Sequence, residues 1–248
     1  MSSISQQFER ELEAFRIDLE SAMQFFYAYQ ATRYLASSEP ELLAAMNSHA
    51  LYWNTSLGAM QQAMFTSLGR VFDQDGETHN VSRLLRIGQS NSSELFSRQA
   101  VRLRKANANA GDPDWLDEFV AACYEPTPDD WRRLRRYVAG CRRVFDSGYH
   151  DIRNRVYAHS ERIDPATRDE MFSATRYREL EKLLASLGAV HEAVWQLFVN
   201  GRKPALRVRR HSLISMLAKR GPGRRGTPVG EMVARETRDV LMRYRNVR

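Results

Sequence analysis

The residues of this chain best suited to chemistry lie together in Asp151-Ile152-Arg153-Asn154-Arg155-Val156-Tyr157-Ala158-His159-Ser160. Two arginines, an asparagine, a tyrosine and a histidine share this short stretch with apolar Ile152, Val156 and Ala158. A guanidinium grips phosphate through paired N–H donors, and an imidazole exchanges protons near neutral pH. Together those groups suit chemistry on an anion, phosphate above all. On a helix, Asp151 and Arg155 share a face, and so do Arg155 and His159, each pair being four residues apart. Ile152 and Val156 form a neighbouring stripe that can anchor the stretch to a core. Arg153 and His159, six residues apart, differ by about 120° around a helix axis. One straight helix therefore does not aim both into one pocket, and a second copy of the chain could supply the missing side.

The elements that must position this stretch read as helices throughout. From Gln7 to Ala36, apolar Phe8, Leu12, Phe15, Leu19, Ala22 and Phe26 recur every three or four residues, with Ser5 able to cap the start. Glu41 to Val71 continues as one helical run after Pro40, which fits a first helical position, with Gly69 marking its end. Asn47, His49, Asn54 and Gln61 are polar groups on that run, read as solvated or locally bonded. Asp73-Gln74-Asp75-Gly76-Glu77-Thr78 starts like a calcium loop but lacks the later oxygen ligands and closing glutamate, so it reads as a polar turn. Val81 to Ile87 predicts a short helix. Ser93 and Glu94 predict the capped start of another, to about Ala106, carrying Arg98, Arg102, Arg104 and Lys105. Trp115 to Tyr124 is a short amphipathic piece. Thr127 and Pro128 then make an N-cap and first turn. The helix they open places Trp131, Leu134, Val138, Cys141 and Phe145 on one face and six arginines between Arg132 and Arg143 on the rest. It ends at Gly148, directly before the reactive stretch. A long helix from about Thr167 to Phe198 follows, and a last one over roughly Val229 to Tyr244. No alternating strand, glycine-rich phosphate loop or internal repeat is evident, so the fold class is all-α.

Charge is unevenly placed along the 248 residues. Residues 1–199 hold 23 Lys and Arg against 27 Asp and Glu, whereas residues 200–248 hold 14 against three. A basic end of that strength attracts polyanions. Arg207, Arg209, Arg210, Lys219, Arg220, Arg224 and Arg225 are half of its cations, and Arg132, Arg133 and Arg136 add a second basic face; all ten are candidate nucleic-acid contacts. Two domains are expected: a helical body over 1–201 and a basic, partly ordered extension over 202–248. The opening residues show no basic-then-apolar secretory pattern and no run is long enough to span a bilayer, so a cytoplasmic protein without a membrane partner is expected.

Metal and cofactor chemistry find little support in the text. Six histidines are scattered without an HExxH pair, and two cysteines, Cys123 and Cys141, make neither a disulfide framework nor a zinc site. Arginines outnumber the carboxylates near His150 and His159, and arginine repels cations. No metal and no cofactor are expected.

Arg153-Asn154-x-x-x-x-His159, between two long helices, resembles the R-x(4–6)-H signature of the HEPN superfamily. The text Arg153-Asn154-Arg155-Val156-Tyr157-Ala158-His159 looks like the RN-x-x-x-AH form common in its abortive-infection-like branch. The resemblance covers about residues 8–199. It implies an HEPN-like helical bundle, here with a basic C-terminal extension. It further implies a metal-independent endoribonuclease of toxin or abortive-infection type, with Arg153, Asn154 and His159 catalytic and Asp151, Arg155 and Tyr157 supporting. Its site would form across a homodimer axis, its substrate would be RNA, its products would carry 2′,3′-cyclic phosphate ends, and a cognate antitoxin is a conceivable partner. Some members carry a tyrosine two places after the histidine that a partner nucleotidyltransferase modifies. That place here is Glu161, which offers no such target. The rival reading is a non-catalytic nucleic-acid-binding or regulatory helical protein.

Overall fold

Breaker-poor sequence from Ser3 to Ser38 folds as one 36-residue helix, α1. The structure, a computed structural model, describes residues 3–75, 77–109, 111–152, 176–209, 212–221 and 226–245. Ten more helices follow among these residues: α2 Pro40–Asn47, α3 Ala50–Val71, α4 Val81–Ser90, α5 Ser92–Phe96, α6 Arg98–Ala108, α7 Leu116–Ala121, α8 Pro128–Gly148, α9 Tyr177–Asn200, α10 Leu213–Ala218 and α11 Val229–Arg245. No strand occurs among them. The protein is all-α.

Several helix ends differ from the sequence reading, each for a local reason. Ser5 does not cap α1 but lies buried inside it. The run from Glu41 to Val71 is two helices, because the Ser48 hydroxyl donates to the Ala45 carbonyl (2.8 Å) and the His49 N–H bonds Met46 three residues back. That tighter pattern competes with the α-helical ladder. Gly69 does not stop α3, which continues to Val71. The Glu94–Ala106 helix is likewise split: Ser97 takes an extended conformation and its Oγ accepts from the Ala100 N–H, starting α6 afresh. The part of the last long helix read from Thr167 lies outside the described residues, and the described helix starts at Tyr177.

The helices group into two compact units. The described part of the first comprises residues 3–17, 70–75, 77–109, 111–150 and 176–209. Its core is aromatic at one end. Phe8 meets Phe96 edge-on (5.3 Å between centroids) and Phe198 at 4.9 Å, and Phe96 meets Trp131 at 5.3 Å. Such pairs add about 0.5–1.5 kcal/mol each beyond their buried area. A side chain at Gly88 would overlap the Trp131 ring, so the bare glycine lets α4 close onto α8. Leu134, Val138, Cys141 and Phe145 continue the buried stripe of α8 toward its C-terminal end.

The start of α8 is fastened as its sequence predicts. Thr127 and Asp130 form a capping box: the Thr127 Oγ1 accepts from the Asp130 N–H, and Asp130 Oδ2 accepts from the Thr127 N–H (3.0 Å). Tyr124 donates a further hydrogen bond to Asp130 (2.6 Å). Burial alone would raise the Asp130 pKa, but these donors together with Arg133 bring it below the usual aspartate value.

The described part of the second unit comprises residues 18–69, 151–152, 212–221 and 226–245. Here α11 packs on α2 and on α10. Gly230 rests directly against the Tyr27 ring, where a Cβ would overlap it, and Tyr244 donates to the Ala45 carbonyl at 3.1 Å. The basic C-terminal sequence thus contributes Ala234, Arg235 and Leu241 to a core. Its buried carboxylate Glu231 bonds Lys219 (2.6 Å) and Arg235 (3.4 Å), and Arg235 also donates to the Gly221 carbonyl. The bond from Lys219 holds the Glu231 pKa below 4.5, outweighing burial. A carboxyl whose pKa is depressed by folding stabilises the fold above its unfolded pKa and loses that contribution as pH falls through the folded value. Glu231→Gln is accordingly expected to cost about 1.5–3 kcal/mol at neutral pH. The gap to wild type should close as urea unfolding is repeated below about pH 4.5. A gap independent of pH would mean that the charge of Glu231 contributes nothing.

Candidate functional site

Arg153, Asn154, Arg155, Tyr157 and His159 lie outside the described residues, as do Arg210, Arg224 and Arg225. The structure describes the chain on either side of residues 153–175, the two shoulders of the segment that holds the reactive residues. On the N-terminal side α8 ends at Gly148; Asp151 is exposed and Ile152 buried. On the C-terminal side Arg176 is the N-cap residue of α9. The shoulders are joined by one phenol. Tyr149, 1 % exposed, donates toward the Arg176 carbonyl (3.2 Å) and Glu179 Oε2 (3.0 Å). Burial first, and then the adjacent Glu179 carboxylate, drive the Tyr149 pKa well above the ordinary tyrosine range, so the hydroxyl keeps its proton. Tyr149→Phe removes that tie without changing ring packing. It is expected to cost about 1.5–3 kcal/mol, the range for a hydrogen bond to a charged group, in urea unfolding. No loss would show that the shoulders are held by packing alone.

Beside this tie, α8 and α9 leave a groove of about 690 Å³. Tyr137, Gly140, Cys141, Val144 and Leu183 make its apolar floor; Arg133, Arg136, Arg176, Arg178 and Lys182 supply cations, against the single carboxylate of Glu179. Two of those groups are already engaged: Arg133 donates to Asp130 (3.0 Å) and the Pro204 carbonyl (2.8 Å), and Glu179 receives Tyr149. None of the ion pairs among the described residues takes up Arg136, Arg176, Arg178 or Lys182. Burial pushes the Cys141 thiol up to about 11, so it is neutral at physiological pH and is packing rather than a nucleophile.

The remaining predicted contacts are dispersed. Arg132 pairs with Asp129 on the exposed side of α8. Arg207 and Arg209 are exposed in the chain after α9. In the second unit Lys219 is bonded to Glu231 and Arg220 is exposed. Of the ten basic residues singled out from sequence, Arg133 and Arg136 are the two that line the groove. Their companions Tyr137, Arg176, Arg178 and Lys182 went unread. A signal existed: Arg178 and Lys182 are four apart on α9, and Tyr137, Cys141 and Val144 repeat at helical spacing on α8. In sequence Arg104 is one cation on a basic helix; in the structure its guanidinium lies 4.2 Å from the Phe198 ring centre and donates to the Phe198 carbonyl. Desolvation lowers its pKa to about 10, which leaves it charged at neutral pH.

His49 and Gln61 make internal bonds, His49 with Ser48 and Tyr244 and Gln61 with the Tyr29 hydroxyl. Asp73 and Asp75 accept from the N–H groups of Gln74, Asp75 and Glu77, as a polar turn does. Among the described residues no group of three His, Cys, Asp or Glu could hold a metal ion, and no helix is long and apolar enough to cross a membrane.

The family model of AbiU2, an HEPN family, matches residues 5–213. The chain belongs to the HEPN superfamily, in its abortive-infection-like AbiU2 branch. No curated protein and no solved structure matches it. The AbiU2 match takes in α1 to α9 and the Arg153–His159 stretch, and it stops before α11. HEPN membership supports a nuclease or abortive-infection role, since superfamily members are commonly ribonucleases.

Proposed function

We propose that this AbiU2-family protein is a metal-independent endoribonuclease acting as a toxin or abortive-infection effector. The observation that carries this reading is Arg153-Asn154 followed by His159 within the matched HEPN region. RNA supplies its own nucleophile, the 2′-OH beside the scissile phosphate. His159 exchanges the proton, either taking it from that hydroxyl or delivering one to the leaving 5′-oxygen. Attack forms the 2′-O–P bond and breaks the P–O5′ bond, leaving a 2′,3′-cyclic phosphate. Arg153, assisted by Asn154, offsets the negative charge that grows on the phosphoryl oxygens. Asp151 orients Arg155, and Tyr157 offers a face for a base. Since residues six apart would diverge by about 120° around a helix axis, the reading includes a homodimer that brings Arg153 and His159 of each chain to one site. A cognate antitoxin would then restrain the enzyme. The exposed Arg207, Arg209 and Arg220 add sequence-independent attraction for RNA that falls with salt.

The test is the chemistry of the product ends. Cleavage of end-labelled RNA is expected to proceed in EDTA and to leave 2′,3′-cyclic phosphate or its 3′-phosphate hydrolysis product, while DNA, lacking the 2′-OH, binds without being cut. Loss of all cleavage in EDTA, or 3′-hydroxyl ends, would point instead to cation-assisted displacement. A strictly monomeric mass at micromolar concentration would remove the composite site.

A further inference from the structure

We propose that the α8–α9 groove is a subsite for a short stretch of single-stranded RNA; this rests on the ribonuclease reading above and names where that enzyme holds its substrate. The groove combines two chemistries. Arg136, Arg176 and Lys182 stand at it without ion-pair partners among the described residues, and the one carboxylate of the lining, Glu179, which accepts from Tyr149, is outnumbered by the cations. Unneutralised cations around apolar surface fit a ligand with charge on one side and flat apolar faces on the other. A nucleic-acid strand has that form: phosphates track a basic groove while bases stack on aromatic side chains. Tyr137 provides the ring, and Gly140 beside it carries no side chain to obstruct a base. The volume of about 690 Å³ is within the range of sites that enclose drug-sized ligands. An acidic peptide would satisfy the cations but leave the Tyr137 floor without a planar partner.

The experiment uses the full-length chain in a His159→Ala background, so that RNA survives the measurement. Anisotropy with a fluorescein-labelled hexauridylate is read against two groove variants, Arg136→Gln/Lys182→Gln and Tyr137→Leu. The double variant is expected to weaken binding at least tenfold. It should also flatten the plot of log affinity against log salt by about 0.7 for each cation removed. Tyr137→Leu keeps the floor apolar and loses the stacking face; it should weaken binding by about 5- to 150-fold, the range for one stacked base. A 5-bromouridine-substituted hexanucleotide should crosslink to Tyr137. Unchanged affinity and salt slope in both variants would overturn the subsite, and so would polyglutamate competing as well as RNA. The two readings fail separately. If the wild-type chain cuts no RNA yet the groove variants lose affinity, the ribonuclease falls and the subsite stands. If cleavage is normal and affinity does not change, the subsite falls and the ribonuclease stands.

Discussion

Replacing His159 with alanine is expected to lower RNA cleavage by about 10²–10⁴-fold, the usual contribution of a positioned general acid or base. Helical content, mass in solution and RNA affinity should stay at wild-type values, because the role assigned to the imidazole is proton transfer and not packing. Arg153→Ala should cost about 2.7–4 kcal/mol of transition-state stabilisation, the magnitude seen when one donor to a developing oxyanion is removed. The two losses should differ in their pH dependence. Without His159 the profile should lose the limb belonging to an imidazole, whereas Arg153→Ala should lower the whole profile and keep its shape. Equal cleavage by His159→Ala and wild type would place the activity elsewhere or in a contaminant, and the non-catalytic nucleic-acid-binding reading would then take precedence.

Trp131→Ala should be the most destabilising single change within the first unit. The ring is 1 % exposed, meets Phe96 at 5.3 Å and donates from Nε1 to the Ser92 hydroxyl at 3.1 Å. Deleting it removes a large transfer term, opens a cavity in an aromatic cluster and leaves Ser92 without its donor, at a cost of roughly 3–5 kcal/mol. For a chain of this size that corresponds to a fall in Tm of about 6–20 °C. Trp131→Phe keeps most of the ring contact and lacks the N–H donor, so it should lose distinctly less. A fall in Tm of under 2 °C for the alanine variant would mean that the cluster around Phe8 and Phe96 is not the unit's cohesive centre. Because α8 runs from Trp131 to the shoulder of the reactive stretch, residual activity of Trp131→Ala should also decline with temperature earlier than wild type.

What the sequence determined by itself is whatever depends on neighbours within a turn or two. Every apolar position read on α8, from Trp131 to Phe145, is buried, because a period of 3.6 turns those residues to one side whatever they later meet. Thr127 and Pro128 form the N-cap and first turn their order predicts, since a cap closes within four residues; Asp130 as the box partner is what the structure adds. The family was legible for a related reason: the resemblance rests on residue types at short spacing in Arg153–His159, and the AbiU2 match over residues 5–213 encloses that stretch. The helix breaks at Ser48 and Ser97 were harder to see, because a serine hydroxyl competes with the backbone only when its rotamer and the next turn allow it.

Tertiary structure decided the rest. Arg104 looks in sequence like its exposed neighbours; only the approach of Phe198, 94 residues later, turns it into a half-buried cation over a ring. Residues 202–248 read as a basic, partly ordered extension; what its text did not tell is that Glu231, Arg235 and Leu241 find partners that bury them, because Gly230 admits the Tyr27 ring and α11 packs on α2. Arg133 and Arg136 belong to one basic run with Arg132, but the groove takes the two that face α9, where Arg176, Arg178 and Lys182 come to meet them. The tie from Tyr149 to Glu179 spans 30 residues and has no signature in either local sequence. Periodicity specifies which side of a helix is buried; it carries no information about which other helix supplies the opposing charges, and that pairing sets the chemistry of the groove.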